Sequence, residues 1–212
     1  MSSTNLFPAF LRLEDRPVLL VGAGPVAAQK LAALLEAGAR VTVVAPEVRQ
    51  EIERAPVQII RRGFVPADLD GVWLAVAAAP PEVNRAVREA ADERRIFLNA
   101  ADDPAAASVY LGGVVRKGGV TLAISTGGRA PALAGLLRES LEAVLPDDLD
   151  QWLGLADRLR EVWRDSGVPF AERRPLLLQA LLQKYRIDDG ESAAPAPGGE
   201  PAAPTRSPRS KP

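Results

Sequence analysis

Residues 17–22 read PVLLVG, and the chain continues through Gly22-Ala23-Gly24-Pro25-Val26-Ala27 into VAAQKLAALLEAG, residues 26–38. A near-continuous apolar run is what a strand buried on both faces requires. The segment after it carries helix formers throughout and ends on a glycine suited to a C-cap. A two-glycine turn that joins a buried strand directly to a helix commits this part of the chain to a βα unit of a parallel sheet. Gly22 permits the tight turn, Gly24 lets a ligand pyrophosphate approach the backbone, and Ala27 keeps the helix close to the sheet. The helix N-terminus then faces the phosphates. The pattern predicts a dinucleotide site contacted by Gly22, Ala23, Gly24, Pro25 and Val26; an ordinary glycine-bearing turn between strand and helix is the plainer alternative.

The rhythm continues in the same sense. Further strands are expected at 39–46, stopped by Pro46, and at 57–63, 71–79 and 96–100, with a helix over 80–94 opened by prolines tolerated in a first turn. Strands alternating with crossover helices predict an α/β, Rossmann-like doubly wound parallel sheet over residues 1–104. The rhythm then changes. Residues 107–126 read as two strands around Arg116-Lys117-Gly118-Gly119, an antiparallel hairpin, and 130–145 as a Leu/Ala-rich helix, so that 105–146 forms a small α+β segment. Residues 147–187 carry two helical patterns, with Trp152 and Trp163 expected in their core or, alternatively, at a dimer contact. Residues 188–212, rich in Pro, Ala and Gly, have too few large apolar residues to bury a core and read as a disordered tail, with a Pro-rich docking motif as the alternative.

Composition narrows the chemistry. The chain contains neither histidine nor cysteine. Zinc sites of the usual ligands, iron–sulfur clusters, thiolate nucleophiles and Ser-His relays are therefore excluded. With 26 basic against 27 acidic residues there is no basic excess to attract nucleic acid. No apolar stretch approaches the ~18 residues needed to span a bilayer, and the N-terminal residues lack a targeting pattern. A cytoplasmic location is the expectation.

Three further segments bear on a site. At the end of the second strand Val43, Val44, Ala45 and Pro46 stand where a ribose-binding carboxylate is common, leaving backbone groups around Val43 and Val44 to hold an adenosine; NAD and NADP are not distinguished. Arg40 and Arg49 are either partners of a 2′-phosphate or solvated. At the carboxyl end of the fifth strand, where open α/β sheets bind ligands, lies Asn99-Ala-Ala-Asp102-Asp103-Pro104. In a chain without imidazole or thiol its two aspartates are the foremost acid–base candidates, although Asp before Pro is also common turn chemistry. Finally, Ser125-Thr126-Gly127-Gly128-Arg129 joins a strand to a helix. Its hydroxyls and freed N–H groups suit anion capture and equally suit helix capping.

Taken together, LFPAFLRLEDRPVLLVGAGPVAAQKLAALLEAGARVTVVAP, VNRAVREAADERRIFLNAADDP and AISTGGRAPALAGLLRESLEAVLP resemble, in order and spacing, the N-terminal module of sirohaem synthase and the stand-alone precorrin-2 dehydrogenases. The resemblance runs from Leu6 to about Leu145. It implies a homodimer that oxidises the tetrapyrrole precorrin-2 to sirohydrochlorin with NAD and, in some members, inserts ferrous iron to give sirohaem. It also implies that Asp102 is the catalytic residue of both steps, including transient contact with iron, and that Asn99, Ser125, Thr126, Gly127 and Gly128 line the tetrapyrrole cleft. Thr126 falls on a hydroxyl position phosphorylated in some members. Arg116, Lys117, Arg129 and Arg138 are candidate partners for substrate carboxylates. This chain departs from common family residues at Val109, Gly112 and Ala130. An NAD(H)-binding regulatory module without catalysis is the alternative from another class.

Overall fold

The computed structural model describes residues 6–101, 103 and 105–191, the last six by backbone alone. Asp102, Pro104 and residues 192–212, which include most of the expected tail, lie outside the described residues. Five parallel strands form the main sheet: β1 (Pro17–Val21), β2 (Arg40–Val44), β3 (Gln58–Ile60), β4 (Leu74–Ala77) and β5 (Phe97–Ala100). Their spatial order is β3-β2-β1-β4-β5. The chain therefore builds outward from β1 in one direction and then returns to β1's other side, creating a topological switch point between β1 and β4.

Helix α1 (Pro25–Glu36) covers one face of the sheet. Its Ala27, Leu31 and Leu34 pack with Val18, Leu20, Val41, Val43 and Val76. The opposite face is covered by α3 (Pro81–Arg94), whose Val87, Ala90 and Ala91 pack with Leu19, Val21, Ala75, Ala77 and Leu98. Alternate residues of β1 thus serve two cores, which explains why its sequence shows no polar alternation. Two small elements were not anticipated from sequence: α2 (Gln50–Glu53) and a 3-10 turn, Pro66–Leu69. Both are single turns, too short for hydrophobic periodicity to register. The 3-10 turn is held by Asp68, which accepts hydrogen bonds from both Arg62 Nη atoms at 2.8 and 2.6 Å and from the Val65 N–H at 2.9 Å. The Arg62 hydrogen bond is the main reason that the Asp68 carboxyl lies below the usual carboxylate range.

The expected hairpin is present but shorter, as β6 (Gly113–Lys117) and β7 (Val120–Ile124). Residues 107–112 are not strand, because they are engaged with β5: the Ser108 and Val109 N–H groups both donate to Leu98 O, at 2.8 and 3.0 Å. Helix α4 (Pro131–Val144) follows. The hairpin strands, apart from their turn, and α4 belong to the same compact unit as the sheet. The second unit comprises residues 117–120 and the chain from Pro146 onward. Within it α5 (Leu149–Asp165) and α6 (Phe170–Glu191) pair through an Asp148, Lys184, Tyr185 and Trp152 network. Trp152 and Trp163 are only half-buried rather than core residues. Trp152 instead donates its indole N–H to the Tyr185 hydroxyl at 2.6 Å, its ring meeting Tyr185 edge-on. A two-helix unit has too little interior to enclose an indole completely.

Candidate active site

The glycine turn lies at the switch point, and its two glycines answer to different constraints. Gly22 has φ +103, and a Cβ there would lie 2.1 Å from Ala78 O. Its N–H donates to Val44 O at 2.9 Å. The turn is therefore wedged between the ends of β2 and β4, and only glycine fits. Gly24 has φ -82, open to any residue, and a Cβ there would meet nothing within 4 Å. Conformation and packing do not demand glycine at this position; clear space in front of the backbone is what its missing side chain provides. No side chain caps Gly24, and Pro25 occupies the first turn. The first N–H groups of α1 therefore lack intrahelical partners and face that space. An open approach, uncapped donors and a helix dipole fit the pyrophosphate of a nicotinamide dinucleotide. Ala23 is buried, and Pro25 and Val26 are exposed at the mouth.

Val43 and Val44 are buried at 0% and 1% exposure. Their side chains belong to the two cores, and the Val44 carbonyl is engaged by Gly22. The β2 end carries no acid, as read from sequence. Arg49 approaches the turn through its backbone, its N–H lying 3.4 Å from Ala23 O, and its side chain faces Glu51 at 3.6 Å. Arg40 is exposed at the opposite, N-terminal end of β2.

On β5, Asn99 pairs in register with Val76 of β4 and is only 6% exposed. Its Nδ2 donates to Val109 O at 2.9 Å. Because that neighbour is an acceptor, the amide orientation is determined: nitrogen toward Val109, oxygen away. The Oδ1 so directed is buried and has no hydrogen-bond partner among the described residues. Leaving such an acceptor unpaired costs about 1–3 kcal/mol, a cost commonly retained where function requires the group. Three residues on, Asp102 lies outside the described residues. Its neighbour Asp103 performs turn chemistry, accepting from the N–H groups of Ala105 and Ala106 at 3.1 and 3.2 Å.

Residues 109–112 bridge this strand end to the Ser-Thr-Gly-Gly loop. Val109 holds Asn99, and a Cβ on Gly112 would lie 1.8 Å from Ile124 O, so backbone meets backbone there. Within the loop, Ser125 Oγ accepts from the Gly127 N–H at 3.1 Å and Thr126 Oγ1 from the Ala130 N–H at 3.2 Å. Both hydroxyls thus stabilise the turn into α4. Gly127 and Gly128 sit at φ +62 and +74, a conformation that favours glycine. Of the four candidate cations, Arg116 faces Glu36 at 3.5 Å, Lys117 faces Asp147 at 2.7 Å, and Arg138 faces Glu142 at 2.8 Å and Glu139 at 3.2 Å. Arg129 makes no ion pair among the described residues; its Nε donates to Thr126 O at 3.4 Å.

Sequence reasoning missed one polar residue at this edge. Asn84, on the first turn of α3, is 7% exposed and its Oδ1 accepts the Ala79 N–H at 3.1 Å. The available signal was an amide standing on the apolar stripe of that helix, beside Val87, Ala90 and Ala91.

Comparison with known proteins agrees with this arrangement. A family model for putative NAD(P)-binding matches residues 9–113, and one for the central part of sirohaem biosynthesis proteins matches residues 117–143. Siroheme synthase 3 of Aeromonas hydrophila is 43% identical over 198 residues, covering 90% of this chain and 42% of that protein. The siroheme synthase of Citrobacter koseri is 42% identical over 172 residues, covering 79% of this chain and 38% of that protein. The chain thus spans about two-fifths of the length of these curated relatives. The solved structure of SirC, precorrin-2 dehydrogenase, superimposes with a TM-score of 0.66 at 26% identity, over 86% of this chain and 92% of that one.

Proposed function

The chain belongs to the sirohaem synthase family, spanning its NAD(P)-binding and central parts, and from that premise we propose that it oxidises precorrin-2 to sirohydrochlorin with NAD. The observation that carries the proposal is the glycine turn at the switch point, where Gly22 is required by packing and Gly24 by nothing among the described residues. The match to SirC, precorrin-2 dehydrogenase, over nearly its whole length supports the same reading.

The residues divide the work as follows. The turn from Gly22 to Val26 and the first N–H groups of α1 bind the pyrophosphate, and the backbone at Val43 and Val44 borders the adenosine. NAD, when bound, supplies the hydride acceptor. Asp102, three residues after Asn99 in the sequence, takes the proton that leaves the macrocycle with the hydride; a carboxylate against a hydrophobic ligand has its affinity for a proton raised. Asn99 offers its unpaired oxygen to an N–H donor of the bound ligands. The loop Ser125-Thr126-Gly127-Gly128 lines the tetrapyrrole cleft, and Arg129, without an acidic partner among the described residues, meets a substrate carboxylate. Positioning and one general base suffice for this reaction. The working form is a homodimer, and the location is cytoplasmic; no helix among the described residues is long and apolar enough to cross a membrane.

Insertion of ferrous iron into sirohydrochlorin is the further step that the family resemblance brings, with iron as substrate and Asp102 as the acidic ligand. The test is a spectroscopic assay with precorrin-2 and NAD, repeated with sirohydrochlorin and ferrous iron without NAD. Turnover in the first arm, lost in Asp102→Ala, is the expected result. Wild-type rates in that variant would remove Asp102 from its role, and NADH binding without tetrapyrrole conversion would favour a regulatory module.

A further inference from the structure

We infer that Asn84 is a positioning residue for the nicotinamide half of the dinucleotide, holding the Ala78-Ala79 backbone as the β4-side wall of the cleft. The inference rests on the dinucleotide reading above and adds a residue to it. Asn84 is the one polar member of the buried stripe of α3, with Val87, Ala90 and Ala91. A buried amide must find hydrogen bonds, and Asn84 Oδ1 finds the Ala79 N–H at 3.1 Å. That N–H is the last backbone donor before the helix, because Pro80 and Pro81 have none. The N-cap, Pro80, has no side-chain acceptor to offer it. Pro80 O accepts from the Val83 and Asn84 N–H groups, both at 3.0 Å, but without the Asn84 side chain the Ala79 N–H has no partner among the described residues.

The wall so held is the one that confines the glycine turn. The Ala78 N–H donates to Val21 O at 2.8 Å, tying the loop to β1, while Ala78 O lies where a Gly22 side chain would project. Ala78 is thereby fastened to β1 and Ala79 to α3, with the peptide between them pressed against the turn. In a sheet of this order a dinucleotide straddles the switch point, its adenosine half toward β2 and its nicotinamide half toward β4. The wall that Asn84 holds through Ala79 thus lies on the nicotinamide side of the turn.

This asymmetry gives the test, performed on the full chain by fluorescence titration with NADH and by competition with ADP, which carries the adenosine and both phosphates but not the nicotinamide riboside. Asn84→Leu keeps the bulk and removes the acceptor; it is expected to weaken NADH binding by about tenfold or more while ADP affinity stays within about twofold of wild type. Asn84→Asp, which keeps an oxygen at the same reach, is expected to recover most of the NADH affinity. Should the leucine variant not fold, Asn84→Ala carries the same expectation. Equal loss of NADH and ADP affinity, or no loss of either, overturns the inference while leaving the dinucleotide reading intact. A wild-type chain that binds neither ligand overturns the dinucleotide reading itself, and this inference with it.

Discussion

Replacing Gly22 and Gly24 in turn by alanine separates what the fold needs from what the ligand needs. At Gly22 the φ of +103 and a Cβ only 2.1 Å from Ala78 O set the magnitude. An L side chain held in that part of conformational space costs about 1–2 kcal/mol. Relieving the contact moves the β4 loop by roughly 1 Å, and forced overpacking of this kind costs about 1–3 kcal/mol. The total of about 3 kcal/mol is a large fraction of the ~5–15 kcal/mol that stabilises a typical domain. For a chain of this size it lowers the melting temperature by roughly 6–12 °C. At Gly24 the φ of -82 is ordinary and the new methyl group meets nothing within 4 Å. Gly24→Ala should therefore melt within about 0.5 kcal/mol of wild type. Its methyl group nevertheless projects into the space assigned to the pyrophosphate, and NADH affinity should fall by about tenfold or more, which is about 1.4 kcal/mol. Thermal unfolding of the ligand-free protein and fluorescence titration with NADH read the two effects independently. A Gly24→Ala protein that binds NADH like wild type would refute the placement of the pyrophosphate. A Gly22→Ala protein with unchanged stability would refute the packing argument.

Two other outcomes follow from the same geometry. Asn99→Leu removes a buried acceptor that lacks a partner among the described residues, together with one hydrogen bond to Val109; it should change stability by less than about 1 kcal/mol yet reduce precorrin-2 turnover by about tenfold or more. A variant as active as wild type would show that the orphan oxygen has no ligand role. In the helical unit, the Lys184 hydrogen bond, with help from Tyr185, holds the Asp148 carboxyl below its ordinary range. A depressed carboxylate stabilises the folded state above its unfolded pKa of about 3.9, and that stabilisation is lost as pH falls through the lower folded value. Denaturant unfolding of α5 and α6, followed by tryptophan fluorescence in a Trp73→Phe background, should show stability declining from about pH 4 downward. Asp148→Asn should flatten that decline; an identical slope would refute it.

Much of the architecture was legible in the sequence because the signals are local. A buried strand between two helical layers must be apolar at every position, and PVLLV is; a turn that receives a neighbouring carbonyl at 2.1 Å from a would-be Cβ must be glycine, and Gly22 is. The resemblance brought Asp102 forward, and Asp103 proved to be occupied with its own turn. What local pattern does not carry is pairing between distant residues. The single-turn elements escaped periodicity, residues 107–112 were read as strand although they fasten onto β5, and Asn84 passed as one more polar residue of a helix.

The sequence by itself determined the strand–turn–helix unit at Gly22 and Gly24 and, lacking His and Cys, required any proton transfer to use oxygen or amine groups. Tertiary structure alone decided that Gly22 is wedged against Ala78 while Gly24 opens onto clear space, that the Asn99 side-chain oxygen is buried without a partner among the described residues, that Asn84 fastens the loop after β4, and that three of four candidate cations already face carboxylates. The physical reason is the same throughout. Conformational preference belongs to a few consecutive residues and is written in them, whereas clash, burial and hydrogen-bond satisfaction are relations between segments that only folding brings together.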